Sequence, residues 1–249
     1  MIIFHLISIF PESFVSYLNS SMLWRAQKEK KIKVHFYNPR DYSLDKHKKV
    51  DGRPYGGGPG MVMQVEPVIR AISAAQKNIA KLSRSSLKAK NYPSAGGLKL
   101  LVLITTPAGK IFDNKLAESY SKKYEHIIIV CGHYEGIDAR VKKILKADLA
   151  RRSGAEVAEI SIGPYVLTGG ELPALVMIDS IARQIPGVLG NDVSLEEKRV
   201  SSSETYTRPE IFKAKDSTGK LKSYSVPKVL LSGHHAKIDK WKLKVKVSK

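Results

Sequence analysis

Residues 126–138 read HIIIVCGHYEGID. The apolar run from His126 to Val130 predicts a short buried strand that ends at Cys131-Gly132, and a helix is expected from Ile137 to about Leu145. A strand, a glycine turn and a helix form the repeating unit of open α/β sheets, whose ligands sit beyond the carboxyl ends of the strands. Glu135 in that turn could hold a ribose hydroxyl or a charged amine. Equally, Glu135 and Asp138 could serve only to favour the helix N-terminus. The pattern alone leaves the two readings balanced.

The same alternation extends in both directions. Ile2 to Ser8, Ile32 to Tyr37 and Leu100 to Ile104 are strand-like. Pro11 to Trp24, Glu66 to Leu82, Asn114 to Lys123 and Leu172 to Ile185 have helical spacing. Asp41 to Gly60 reads as a long loop, Thr105 to Gly109 as a turn, and Glu159 to Leu167 as mixed strand and loop. Ser83 to Gly97 and Lys146 to Glu159 read as basic, insertion-like segments, and Gly187 to Arg208 as a polar connection. The expectation is an α/β fold with a mostly parallel sheet.

The chain has 249 residues, enough for one large domain, or one domain plus a small appendage. With 43% hydrophobic residues a sizeable core is expected. Lys and Arg total 42 against 23 acidic residues, a net charge of +19, which favours a polyanionic partner such as nucleic acid over a membrane surface. Pro209 to Lys249 alone carries 11 lysines and three acidic residues. Cys131 is the only cysteine, so no intrachain disulfide forms, and a cytoplasmic protein is expected. The apolar run Ile2 to Phe10 stops at Pro11-Glu12 and reads as a first strand, not as a signal peptide or membrane span.

Two further loops carry glycine. Arg53-Pro54-Tyr55-Gly56-Gly57-Gly58-Pro59-Gly60-Met61 has four glycines in five positions, where backbone amides can approach a ligand. A tight connector is the plainer alternative. The tract is not a Walker A loop, because no Gly-Lys-Ser/Thr follows, and it does not open a helix as a dinucleotide fingerprint does. Ser161 to Pro173 has three glycines in the eight residues 163–170 and then a helix. Three such loops in one α/β chain suggest one composite pocket, for a ligand other than ATP or NAD. The seven histidines show no zinc spacing; His234 and His235 read as surface or capping residues. Cys131 reads as structural, and Trp24 and Trp241 as packing residues, with stacking on a base the functional alternative.

Taken together and in order, these stretches resemble the TrmD family of bacterial tRNA (guanine-N1)-methyltransferases, in the SPOUT superfamily. The resemblance rests on Phe10-Pro11-Glu12, Asn38 to Tyr42, Arg53 to Met61, Cys131 to Asp138 and Ser161 to Pro173. It continues through Ile185 to Gly190, Tyr206 to Glu210 and Leu230 to His235. It implies a SPOUT-type knotted α/β domain at 1–186 with a deep trefoil knot, an interdomain loop at 187–208, and a short, trimmed, basic tRNA-binding domain at 209–249. It also implies S-adenosyl-L-methionine (SAM) as cofactor, tRNA as partner, and a homodimer whose active site lies at the subunit interface. Magnesium dependence rests on family analogy alone; the residues name no metal ligands.

Carried over position by position, the resemblance assigns SAM binding to Thr105, Thr106, Pro107 and Gly109; to Gly132, Tyr134, Glu135 and Gly136; and to Ile162, Gly163, Tyr165, Leu167, Gly169 and Gly170. Pro59, Gly60 and Arg208 would contact tRNA. Arg183 takes the place of the catalytic arginine, whose guanidinium can stabilise charge developing on guanine O6. The general base falls in Asn191 to Val200. A register without gaps puts Lys198 there, whereas one deletion puts Glu197 there with Glu196 before it. Glu197 is preferred because it keeps a proton acceptor, with Glu196 and then Asp192 behind it. Pro164 stands where an aspartate is expected, and Gly52 where a second acid often follows Asp51. The implied reaction is methylation of N1 of the guanosine 3′ to the anticodon, guanosine 37. The rivals are a SPOUT enzyme acting elsewhere on RNA and a non-catalytic RNA-binding relative.

Overall fold

The computed structural model describes residues 1–88, 99–149, 155–189 and 204–245. The chain folds as two compact units, Met1–Leu189 and Gly190–Lys249.

The first unit is built on five strands: β1 (Ile2–Ile7), β2 (Ile32–Tyr37), β5 (Leu100–Ile111), β6 (His126–Val130) and β7 (Ala155–Ser161). Their order is β2-β1-β6-β5-β7, and every neighbouring pair is parallel. All six residues of β1 and all five of β6 are buried, as strands covered on both faces must be. Alternate side chains feed two cores. Phe4, Leu6, Leu101, Leu103, Ile127 and Ile129 pack with α2 (Ser21–Lys28), α4 (Asn114–Lys123) and α6 (Glu171–Ala182). Ile7, Val102, Ile104, Ile128 and Val130 pack with α3 (Val65–Lys88) and α5 (Arg140–Leu149). A second, two-stranded sheet joins β3 (Asp51–Gly52) to β4 (Val62–Met63) and closes the base of the glycine-rich loop.

Several expected boundaries shift, each for a local reason. The single helix expected from Pro11 to Trp24 is instead a 3-10 turn at Pro11–Phe14, a short helix α1 (Val15–Leu18) and α2. The break falls where Ser21 adopts a left-handed φ of 48°. The first residues of the supposed linker at Ser83 belong to α3, which runs on to Lys88; 89–97 lie outside the described residues. Likewise α5 extends to Leu149, because Leu145 and Leu149 are four apart on one buried face, and β7 begins at Ala155. α5 starts at Arg140 and not at Ile137, because Ile137 still pairs with Met63 and Asp138 N donates to Met63 O. Thr105 to Gly109 does not end its strand. Thr105 and Lys110 both face Ile160, so residues between them bulge out and β5 resumes. Trp24 is 48% exposed: α2 buries Leu23 and Ala26, and Trp24 falls on the open side under Lys28 Nζ.

The second unit contains a hairpin, β8 (Ile211–Lys215) with β9 (Leu221–Ser225), then α7 (Lys228–Leu231) and α8 (His235–Val245). Asp216 Oδ1 accepts from the amides of Thr218 and Lys220 and so shapes the hairpin turn. None of its described residues is fully buried; Trp241 lies against Tyr206 with ring centroids 6.2 Å apart.

A polar group of side chains crosses the first unit's sheet. His5 and His35 are register partners with stacked rings. His5 Nδ1 lies 3.2 Å from Tyr37 Oη and its Nε2 lies 3.3 Å from His126 Nδ1. Burial, reinforced by His126 and His35, depresses His5 to about 3. Burial also lowers His35 and His126. These rings are therefore neutral in the fold, while the unfolded chain takes up protons below about pH 6.5. The stability that His5 confers in this way is fully present above that value and is lost as pH falls towards 3, at about 1.4 kcal/mol per pH unit; His35 and His126 act in the same direction. Thermal melts between pH 7.5 and 5 should show a falling Tm, with a shallower fall in His5→Gln.

Candidate functional site

Thr105 is 7% exposed at the point where β5 leaves the sheet. Its hydroxyl donates to Val130 O (3.2 Å) and accepts from Gly132 N (3.1 Å). Gly170 N in turn donates to Gly132 O (2.7 Å), and His133 bridges to Gly169. The bulge in β5 and the loops that follow β6 and β7 are thereby stitched edge to edge. The approach is so close that a Cβ on Gly170 would lie 2.1 Å from Thr105 Oγ1 and 2.7 Å from Gly132 N.

The loops enclose a cavity of about 320 Å³, within the range of small-molecule sites. Thr105, Thr106 and Pro107 line it from one side; Gly132, Tyr134, Glu135 and Gly136 line it from the second; Ile162, Tyr165, Leu167, Gly169 and Gly170 line it from the third. Two residues expected at the cofactor do not line it. Gly109 backs onto the Ile160 amide, and Gly163 is covered by the Tyr165 ring. Their small size serves loop packing. Tyr134 holds a left-handed φ of 59°, and the turn closes by Gly136 N donating to His133 O.

The glycine-rich tract joins the same assembly. Glu135 N donates to Met61 O, and Met63 N donates to Gly136 O. Gly60 passes so near the Glu135 carboxylate that a Cβ there would be 2.3 Å from Oε1. Pro59 and Gly60 thus sit beside the cavity, without lining it.

Sequence reading missed His133, Glu159 and Ser161 as lining residues. It also missed Glu171, whose buried carboxylate accepts from Ser8 Oγ at 2.7 Å. Those partners are 163 residues apart, so no spacing could have signalled the contact. Cys131 is fully buried, and burial, with the nearby Glu171 carboxylate adding to it, pushes its thiol well up; it is a packing residue.

Arg183 caps the carboxyl end of α6. It is absent from the cavity lining, since α6 carries it roughly 20 Å along the axis from Gly170. Glu196 and Glu197 lie outside the described residues, as do Asp192 and Lys198. Arg208 is exposed in the second unit. Among the described residues no group of three His, Cys, Asp or Glu side chains is placed to hold a metal, and no helix is long and apolar enough to cross a membrane.

A cavity formed by loops at the carboxyl ends of parallel strands places the chain among α/β proteins that bind a small ligand at the strand ends. Within that class it belongs to the family described as tRNA (Guanine-1)-methyltransferase TrmD, which it matches over residues 2–249. It is 44% identical over 243 residues to a tRNA (guanine-N(1)-)-methyltransferase of Clostridioides difficile, covering 96% of this chain and 90% of that protein. It is 42% identical over 243 residues to the protein of the same name from Carboxydothermus hydrogenoformans, covering 96% and 80%.

Gly170→Ala should force Thr105 and Gly132 apart. The expected cost is roughly 1–3 kcal/mol of stability with loss of ligand binding at the cavity, read by thermal melting and by titration calorimetry.

Proposed function

We propose that this chain methylates N1 of the guanosine 3′ to the tRNA anticodon, guanosine 37, using SAM held in the loop-lined cavity. The observation that carries this reading is the joining of three loops around a cavity at the strand ends, in a chain of the tRNA (Guanine-1)-methyltransferase family. The residues fit the cofactor. Backbone amides and carbonyls of the 132–136 and 162–170 loops can hold an adenine, Glu135 can meet a ribose hydroxyl, and Ile162, Tyr165 and Leu167 supply apolar wall. When bound, SAM supplies an electrophilic methyl group.

The protein's own residues do the rest. Guanine N1 is a poor nucleophile until it loses its proton, and the charge then falls on O6. Arg183 stabilises that charge as it develops. Glu197 takes the proton, with Glu196 the alternative. Pro59 and Gly60 lie against the target base, and Arg208 with the lysines of 209–249 holds the RNA backbone. Those phosphate contacts position the tRNA without selecting the base. In this reading residues 1–186 form the knotted SAM-binding domain, 187–208 the connecting loop and 209–249 the tRNA-binding domain of a cytoplasmic enzyme.

Arg183 and the cavity belong to one reaction yet sit at opposite ends of α6. A homodimer removes the difficulty, because an isologous contact brings one protomer's Arg183 to its partner's cavity. Two features support it. Leu172 and Val176 are 59% and 44% exposed and four apart on an otherwise buried, apolar helix. Tyr165 and Val166 beside the cavity are also exposed.

Transfer from labelled SAM to tRNA transcripts carrying G or A beside the anticodon tests the reading. Only the G transcript should be methylated. Arg183→Ala should lower kcat by about 10²–10³, and Glu197→Gln by about 10²–10⁴, with Glu196→Gln much less affected. The converse order for the two glutamates would move the base to Glu196. Absence of transfer to either transcript would overturn the substrate assignment. The double variant Leu172→Glu, Val176→Glu should sediment as a monomer and lose transfer while still melting cooperatively.

A further inference from the structure

The Glu171 carboxylate is buried, 8% exposed, at the start of α6. Its contacts within the fold are sparse. Ser8 Oγ donates to Oε1 at 2.7 Å; that hydroxyl also accepts from Phe10 N, so its single proton is committed to Glu171. Oε2 faces His133 Nδ1 at 4.0 Å, too far for a hydrogen bond, and Nδ1 is itself buried without a partner. Among the described residues no lysine or arginine pairs with Glu171, although the chain carries a net charge of +19. A buried carboxylate with one neutral donor is costly, and the amino end of α6 offsets only part of that cost.

The direction in which this charge is open is also defined. Oε2 lies directly behind Gly169, where a Cβ would sit 2.3 Å from it, and Gly169 and Gly170 are cavity wall. At that point the Gly169–Gly170 backbone and the edge of the His133 ring are what stand between the carboxylate and the cavity. SAM carries a positive sulfur, whereas its demethylated product S-adenosylhomocysteine carries a neutral thioether.

Resting on the assignment of SAM to this cavity, we propose that Glu171 provides a fixed negative charge behind the Gly169–Gly170 wall that favours the cationic methyl donor over its neutral product. Glu171 touches neither reacting atom. It acts across the glycine backbone, and the absence of side chains at 169 and 170 lets its field reach the ligand. The consequence is selective: charge removal weakens SAM without weakening S-adenosylhomocysteine to the same degree, easing neither donor capture nor product release.

Titration calorimetry of the full chain with SAM and with S-adenosylhomocysteine, for wild type and Glu171→Gln, reads this directly without turnover. The affinity ratio of SAM to S-adenosylhomocysteine should fall roughly three- to thirtyfold in the variant, the size of one unit charge acting across a partly screened separation. Equal weakening of both ligands, or an unchanged ratio, would show that Glu171 only braces the loops, and would overturn the proposal. If wild type binds neither ligand, the SAM assignment itself fails and this proposal goes with it. Should Glu171→Gln not fold, Glu171→Asp draws the charge back by one methylene; the ratio should fall in the same direction by a smaller factor, and an unchanged ratio would overturn the proposal.

Discussion

The Thr105 hydroxyl is the tie on which the functional half of this molecule depends. It donates to the last carbonyl of β6 and accepts from Gly132, whose own carbonyl takes the Gly170 amide. A single short side chain therefore sets the spacing of three loops that the chain reaches at residues 105, 132 and 170. Each bond is worth only about 1 kcal/mol net. Their effect is geometric: they fix backbone groups at the cavity wall, where a small displacement would either open the site or close it.

That tie is possible because the sheet beneath it is rigid. β1 and β6 are buried along their whole length, with bulky residues alternating between two cores, and interiors packed in this way do not deform continuously. The carboxyl ends of the strands then present loops at fixed separations. The bulge in β5 adds the one irregularity the site needs, because it swings Thr106 and Pro107 out of the sheet and towards the cavity while the strand resumes at Lys110.

α6 reaches two places that the proposed chemistry uses. Its amino end meets the cavity through Gly170 and buries Glu171 behind the wall, and its carboxyl end carries Arg183. A rigid helix cannot bring its own ends together, so the two parts of the proposed chemistry meet only if a second copy supplies one of them. The exposed apolar residues on its open face agree with that requirement.

Much of this was legible in the residues. Strands such as His126–Val130 and helices such as Asn114–Lys123 declare themselves through apolar runs and helical periods, and the glycine loops mark where backbone must come close. Local pattern could not foresee that β5 resumes after its bulge, because the pairing partner of Lys110 is Ile160, fifty residues on. Nor could it distinguish glycines that line the cavity from Gly109 and Gly163, which only allow loops to pack. The sequence by itself determined the fold class, the polyanion-seeking charge and the family, since these follow from composition, periodicity and motif order. Only the tertiary structure decided which loops touch, that Glu171 lies behind a glycine wall with no lysine or arginine paired to it among the described residues, and that Arg183 stands a helix length from the cavity. Those facts arise from contacts between residues far apart in the chain, and no local rule encodes them.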